Sequence, residues 1–412
     1  MTKLSPAIIW ALGATQVIGY GTLYYAFSVL APELALAFGW SVEWVFGALT
    51  VALLLGGVAA PFAGHLAERF GAARLMVWGS LLSALLLALG ALATSGWQFA
   101  LALIGMEVAS TLVLYAAAFS ALVQMGGQGA QRSITHLTLI AGFASTLFWP
   151  LTSALLTVTD WRGVYLVFGL LHLVVCAPLH LWLTRQPAVS LPAPDAAGLP
   201  PVSEDGRLAG GQRRSAFVLM LIGFAVQGFT LSAVLLQMLP LLTGLGLGGS
   251  AVLIGSLFGP AQVLSRLVNM LFGRGLPQTS LAIIAAGLLP AGLLVLALTT
   301  PAIAGAVLFA ILFGLGSGLT SIVSGSLPLY LLGRQGYAAR LGWLSAARQI
   351  ASAISPFVLA LAMGALGIVT ALWLVVGFGL VAVMAFGAIA MLPGGVPQPR
   401  NAAAVPLPVE SD

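Results

Sequence analysis

Charge is what this chain has least of. Only 6% of its 412 residues are charged, against about a quarter in a soluble domain. A soluble fold of this length could not cover its surface with so few. Cysteine is nearly absent. Cys176 stands alone, which excludes a disulfide within the chain and any multi-cysteine metal site. There is no Gly-x-x-x-x-Gly-Lys-Ser/Thr phosphate loop, which argues against ATP-driven transport. There is also no Gly-x-Ser-x-Gly nucleophile elbow. No pair among the four histidines has metal-ligand spacing with a carboxylate or cysteine. Neither a metal, a cofactor nor a catalytic residue is expected, so the chain does not read as an enzyme. A cleavable secretory signal is lacking too, because the first apolar run is too long and no small-residue cleavage site stands clear of it.

What is present is apolar. Hydrophobic residues make up 60% of the chain and the mean hydropathy is +1.09. A membrane-spanning helix needs about 20 apolar residues, and twelve such runs fit the length. The pattern predicts spans at Ala7–Leu30, Trp44–Ala63, Leu75–Ala93, Phe99–Val123, His136–Thr157 and Tyr165–Leu183 in the first half. In the second half it predicts Ala216–Leu239, Ala251–Phe272, Leu281–Leu298, Ala302–Leu329, Leu341–Ala365 and Val369–Met391. The expected fold is an all-α membrane protein with twelve transmembrane helices in two pseudo-symmetric six-helix bundles. The bundles are read at 1–183 and 215–392, joined by a cytoplasmic Pro-rich linker at 184–214. A disordered tail is expected at 393–412. Gly244–Gly249 reads as a flexible outer turn.

The formal charge of +5 could point to nucleic acid, but its placement argues otherwise. With the N-terminus inside, Lys3, Arg69, Arg74, Arg132, Arg185, Arg207, Arg213, Arg214, Arg274, Arg334, Arg340 and Arg400 are all cytoplasmic. Only Arg162 falls in an outer loop, while Glu33, Glu43 and Asp160 lie outside. Membrane insertion accounts for the charge, and no nucleic-acid partner is needed. Nearly all of the positive charge is arginine, and Ala, Leu and Gly dominate, which suggests a GC-rich bacterial genome and a bacterial cytoplasmic (inner) membrane.

The halves read as a repeat. Arg132 and Arg340 precede the fifth and eleventh spans, 208 positions apart; Gln16 and Gln227 lie 211 apart in the first and seventh. Repeats of this kind place a substrate site at their interface, near the bilayer midplane. An ionisable residue inside the membrane is a functional candidate by default. Removing the loop charges leaves Glu107, Arg266 and Arg348. In the ungapped repeat each stands where the other half has glycine: Gly316, Gly57 and Gly142 respectively. A guanidinium stays charged and grips a carboxylate bidentately, so Arg348 is a candidate for an anionic substrate or a coupling acid. Its alternative is a structural role with Glu107 or backbone carbonyls. A carboxyl at Glu107 suits proton loading and release; the alternative is a hydrogen-bonded neutral acid. Asn269 shares the helix face of Arg266. Gln16, Tyr20 and Tyr24 form one stripe, a pattern that is usually packing. Tyr24 and Tyr25 near the outer end read as interfacial belt residues. Trp149-Pro150 and Ser355-Pro356 mark expected kinks.

The stretch Gly64-His-Leu-Ala-Glu-Arg-Phe-Gly-Ala-Ala-Arg74 carries a family signal. Gly64, Leu66, Glu68, Arg69, Gly71 and Arg74 resemble the loop signature of the major facilitator superfamily, after the second span where that family has it. The family's aspartate is Glu68 here, and its basic pair is Ala72 and Ala73. The resemblance implies a secondary transporter in which this loop (Gly64, Glu68, Arg69, Gly71, Arg74) is a conformational switch. It also implies that the first, fourth, seventh and tenth helices line a cavity. Gln16, Tyr20, Tyr115 and Gln227 are then lining candidates, and Arg266 sits where an arginine is widespread in the family, contacting substrate in organic-anion members and structural elsewhere. Gly19–Phe27, Phe38–Ser41 and Ala60–Gly64 resemble the monocarboxylate and oxalate–formate branch. The implied function is alternating-access transport of a small organic anion, coupled to protons if Glu107 titrates. The alternatives are proton-antiport efflux of drugs, metabolites or toxic metalloid compounds, and a non-transporting membrane sensor. Family habit implies a monomer.

Overall fold

A computed structural model of the chain describes residues 4–126, 129–186, 206–208 and 210–392. The expectations placed on Lys3, on the linker at 187–205 and 209, and on the tail at 393–412 with Arg400 lie outside these residues. Among the described residues there is no strand. Twelve helical segments are long and apolar enough to cross a membrane. Spans 1 to 6 are Pro6–Phe38, Val42–Phe70, Ala72–Ala91, Gly96–Gly126, Ala130–Leu156 and Trp161–Thr184. Spans 7 to 12 are Gly211–Leu236, Met238–Phe272, Gln278–Thr299, Ile303–Leu332, Tyr337–Leu366 and Ile368–Met391.

The ends of these helices follow from local chemistry. Ser41 caps span 2 through Trp44 N–H, and Asp160 caps span 6 by accepting from Gly163 N–H at 2.9 Å. Gly39, at φ 63°, ends span 1 eight residues beyond the expected Leu30. Two helices meet across a kink in the Gly244–Gly249 stretch, where Gly246 turns the chain at φ 83°.

Apolar surroundings force every backbone polar group to find a partner within the protein, so breaks inside spans are informative. Span 4 is two helices, Gly96–Val113 and Tyr115–Gly126, hinged at an extended Leu114 (ψ −165°). No glycine or proline announces it. Span 5 breaks at Gly142-Phe143, between Ala130–Ala141 and Ala144–Leu156, rather than at Pro150. Span 11 runs unbroken through Pro356. Span 1 contains a π-turn at Gly21–Tyr25, and span 6 has another at His172–Cys176. The two face each other, joined by a 2.8 Å hydrogen bond between Thr22 Oγ1 and His172 Nε2.

The cores explain the architecture. One buried cluster draws only on residues of spans 1 to 6 and the adjoining loops, such as Phe27, Leu30, Phe99, Trp161 and Phe168. Its counterpart draws only on spans 7 to 12, such as Leu242, Leu293, Phe309, Phe313 and Leu372. Both clusters lie towards the same end of the bundle. At the opposite end, where the Gly64–Arg74 loop lies, one cluster joins Ile8, Leu12, Met76 and Phe119 of the first half to Tyr337, Ala338 and Leu341 of the second. The two six-helix halves share a core at one end, where the second half also keeps a cluster of its own around Phe224, Leu327 and Phe386, and they keep wholly separate cores at the other.

Candidate functional site

The shared end is built from glycine and backbone dipoles. Gly64 of span 2 lets span 11 approach so closely that an added methyl would sit 2.5 Å from the Ala338 carbonyl oxygen. Gly342 does the same in the other direction, 2.6 Å from the Ala60 oxygen. The loop then reaches across. Glu68 Oε1 accepts from Gly336 N–H at 3.1 Å, and Oε2 accepts from Ala338 N–H at 3.2 Å. A carboxylate from one half thus caps the N-terminus of span 11 in the other, where free N–H groups and the helix dipole favour negative charge. The longer Glu serves where the family signature has Asp.

A reciprocal contact was invisible in the sequence. Arg334 Nη2 donates to the Val123 carbonyl at 2.7 Å, so a cation of the second half meets the C-terminal end of span 4. Gln124 fastens the loop to the same helix end, accepting from Ala72 N–H at 2.8 Å and donating to the Ala67 carbonyl at 3.0 Å. Gly71 makes the turn at φ 88°, a conformation strained for any side chain. Arg69 lies over the Phe70 ring and Arg74 is exposed; neither crosses to the other half through a described contact.

Above this seal lie the intramembrane charges. Arg348 is eleven residues into span 11 and Tyr115 eleven residues before the end of span 4. At 1.5 Å per residue both lie about 16 Å from the sealed end, near the middle of a bilayer core of about 30 Å. The Arg348 stem lies flat on span 7, because a Cβ at Gly228 would be 2.7 Å from its Cγ. The residue is half-buried, and no described residue hydrogen-bonds or ion-pairs with it. Tyr20, Tyr24 and Tyr115 are within its electrostatic reach.

Arg266 is different. It is 4% exposed, its Nε donates to Ser321 Oγ at 3.1 Å and to the Gly318 carbonyl at 3.4 Å, and its Nη1 is buried without a partner among the described residues. That nitrogen lies against Gly142 at the break in span 5. The repeat predicted glycine opposite each charge, and the structure gives the reason for one of them. Gly142 is the repeat partner of Arg348, and its bare Cα is the space Arg266 fills. Gly57, the repeat partner of Arg266, packs on Ile350, two residues from Arg348. The two seams therefore carry one arginine each, on opposite members of the pair.

Glu107 is also 4% exposed. Its only described side-chain partner is Ser110 Oγ at 3.5 Å, and no cation pairs with it among the described residues. A single glycine separates its helix from the arginine turn: a Cβ at Gly56 would be 3.0 Å from the Glu107 carbonyl oxygen and 2.9 Å from Gln349 Nε2.

Gln16 and Gln227 do equivalent work in the two halves. Gln16 Nε2 donates to the Val113 carbonyl at 2.7 Å, taking the oxygen that the Leu114 break turns out of span 4. Gln227 Nε2 donates to Thr320 Oγ1 of span 10 at 2.8 Å. Both side chains are buried, and each has an amide oxygen without a described partner. Asn269 is half-buried one turn from Arg266, with its amide against Gly273. Tyr20 and Tyr115 pack ring to ring at 4.6 Å, and Tyr115 stacks on Phe119 at 4.9 Å. Phe119 in turn closes the sealed side against Gly325 of span 10.

Comparison with solved structures finds the same architecture. The human organic anion transporter MFSD10 (TETRAN) aligns at 16% identity over 93% of this chain and 100% of that one, with TM-score 0.68. FucP, the E. coli fucose:proton symporter, aligns in its outward conformation at 14% over 92% and 98%, TM-score 0.69. The proton:xylose symporter XylE bound to a bromo-deoxyglucose aligns at 14% over 94% and 96%, TM-score 0.70. No curated protein matches the sequence. The family model described as Major Facilitator Superfamily matches residues 12–356. With twelve spans, two halves and a loop that caps one half with the other, the chain is a multi-pass membrane protein that belongs to the Major Facilitator Superfamily of transporters.

Proposed function

We propose that the protein carries a small organic anion across a bacterial cytoplasmic membrane by alternating access, with its termini in the cytoplasm. The observation that carries this reading is the Arg348 guanidinium. It is a permanent cation at mid-membrane depth, half-open, with no described hydrogen-bond or ion-pair partner. A charge left unpaired in a membrane is costly, and a carboxylate gripped by its fork offsets that cost. The separate cores at one end and the shared core at the other support rocking of 1–183 against 215–392, with 184–214 as the link. In the proposed orientation the sealed end is cytoplasmic and the structure faces outward. The likeness in fold to an organic anion transporter agrees with this reading; the monocarboxylate and oxalate–formate likeness of the first half is its sequence support.

Glu107 supplies the proton step: buried, without a cation, and one glycine away from the arginine turn. It serves exchange as well as symport, so proton-antiport efflux of drugs, metabolites or metalloid compounds is the second reading. Arg266 has a structural role in this scheme. It ties span 8 to span 10 and fills the space at Gly142 of span 5 beneath the site, and Gln16 and Gln227 brace the cavity helices behind it. A monomer suffices, because each six-helix half supplies one wall of the site.

The test is uptake of labelled carboxylates by proteoliposomes, with and without an inward proton gradient. Wild type is expected to accumulate a carboxylate, Arg348→Ala to lose it, and Glu107→Gln to lose only the response to the gradient. Binding without flux in wild type would instead make the chain a sensor. Uptake of neutral or cationic solutes that Arg348→Ala leaves intact would overturn the anion reading.

A further inference from the structure

On the anion reading, the surroundings of Arg348 narrow the substrate. We propose that the site takes an aromatic monocarboxylate, with the carboxylate on Arg348 and the ring among Tyr20, Tyr24 and Tyr115.

The restriction to one carboxylate follows from the charges. Arg266 is enclosed and tied to span 10, so among the described residues at this depth Arg348 is the one guanidinium left open.

The preference for a ring follows from what the open guanidinium faces. Tyr20, Tyr24 and Tyr115 all lie within its electrostatic reach, and the enclosed Arg266 acts on Tyr115 and Tyr25 from the other side. Their rings are in mutual contact, Tyr20 to Tyr115 at 4.6 Å and Tyr20 to Tyr24 at 6.5 Å, and Tyr25 extends the cluster at 5.2 Å from Tyr24. They are not a closed core: Tyr24 is 52% exposed, and Tyr20, Tyr25 and Tyr115 are half-buried. Open aromatic faces and edges at 4.5–7 Å spacing are what another ring packs against.

The backbone is shaped to make this cluster. On a regular helix Tyr20 and Tyr24 share a face and Tyr25 turns away. The π-turn at Gly21–Tyr25 spaces hydrogen bonds five residues apart, which brings Tyr25 round towards the same side. Two contacts pin that turn: Thr22 to His172 at 2.8 Å, and Trp149 Nε1 donating to the Tyr25 carbonyl at 3.1 Å. The break at Leu114 starts the second helix of span 4 at Tyr115, opposite Tyr20. A helix irregularity in each of two cavity walls thus serves the same patch.

The experiment is thermal stabilisation of the purified full chain, titrated separately with benzoate, acetate, lactate, phthalate and xylose. A ligand of the native state raises the melting temperature with concentration over Kd. Benzoate is expected to bind about tenfold more tightly than acetate or lactate, and phthalate more weakly than benzoate. Tyr20→Leu and Tyr115→Leu should each reduce the benzoate-to-acetate ratio, Tyr115→Phe should keep it, and Arg348→Ala should remove both responses. Equal binding of benzoate and acetate would overturn the ring preference and leave the anion reading standing. Tighter binding of phthalate than benzoate would overturn the single-carboxylate assignment. Stabilisation by xylose alone would overturn the anion reading itself.

Discussion

The two ends of this molecule solve the same packing problem in opposite ways. At the sealed end the halves share a core, and each places a charge on the other's helix terminus: Glu68 on the start of span 11, Arg334 on the end of span 4. At the other end each half completes its own core, and neither cluster contains a residue of the other half. The two arginines follow the same division. Arg266, towards the seal, is enclosed and bound to span 10; Arg348, deeper in the membrane, is half-buried and has no hydrogen-bond or ion-pair partner among the described residues. Residue type alone does not make a ligand-binding cation. What differs is whether the protein has already satisfied it.

That contrast can be broken in several places. The largest effect is expected from Gly142→Val, which fills the space of the Arg266 guanidinium. Displacing a buried, bonded charge costs about 3 kcal/mol or more, so the variant should melt well below wild type in detergent. Val at Gly228 would instead press on the Arg348 stem, and should impair anion binding more than stability. Next is Arg334→Met, which removes a charge-assisted bond worth about 1.5–3 kcal/mol. It should loosen the seal, seen as faster thiol labelling of a cysteine introduced at Ala121, which is fully buried there. Glu68→Gln should act in the same direction with a smaller effect of about 0.5–1 kcal/mol, because Glu68 is exposed and water replaces part of the cap. The smallest effects belong to Gln16→Leu and Gln227→Leu, at about 0.6 kcal/mol each for a hydrogen bond between membrane helices. Gln16→Leu should be the costlier, since it strands the Val113 carbonyl at a helix break.

Much of this was legible in the sequence because the membrane enforces it. Apolar length gave twelve spans, and the repeat offset put glycine opposite each buried charge. Glu68 was singled out in its loop on resemblance alone, and its bonds to Gly336 and Ala338 give that role a geometry. Irregular backbone was not legible. Leu114 breaks span 4 without proline or glycine, and span 5 bends at Gly142 rather than at Pro150. Both breaks are settled by partners from distant spans, Gln16 and Arg266, that no local pattern contains. For the same reason the π-turn that sets Tyr25 beside Tyr24 and Trp149 had no local signal. Arg334 read as a loop charge because only the fold shows which helix end it reaches.

The central claim is that one cleft, open at one end only, closes there as the other end opens. Spin-label distances across both ends test it most directly. One pair of labels would sit at Leu36, near the open end of span 1, and at Val252, just past the Gly246 turn of span 8, both exposed. The other would sit at Phe70 and Phe272, exposed at the sealed ends of spans 2 and 8. The single native cysteine, Cys176, is buried and does not interfere. In lipid nanodiscs, a carboxylate that stabilises the protein is expected to shorten the first distance and lengthen the second, and Glu68→Gln to lengthen the second without ligand. Two distances that move together, or neither moving at saturating ligand, would contradict the account.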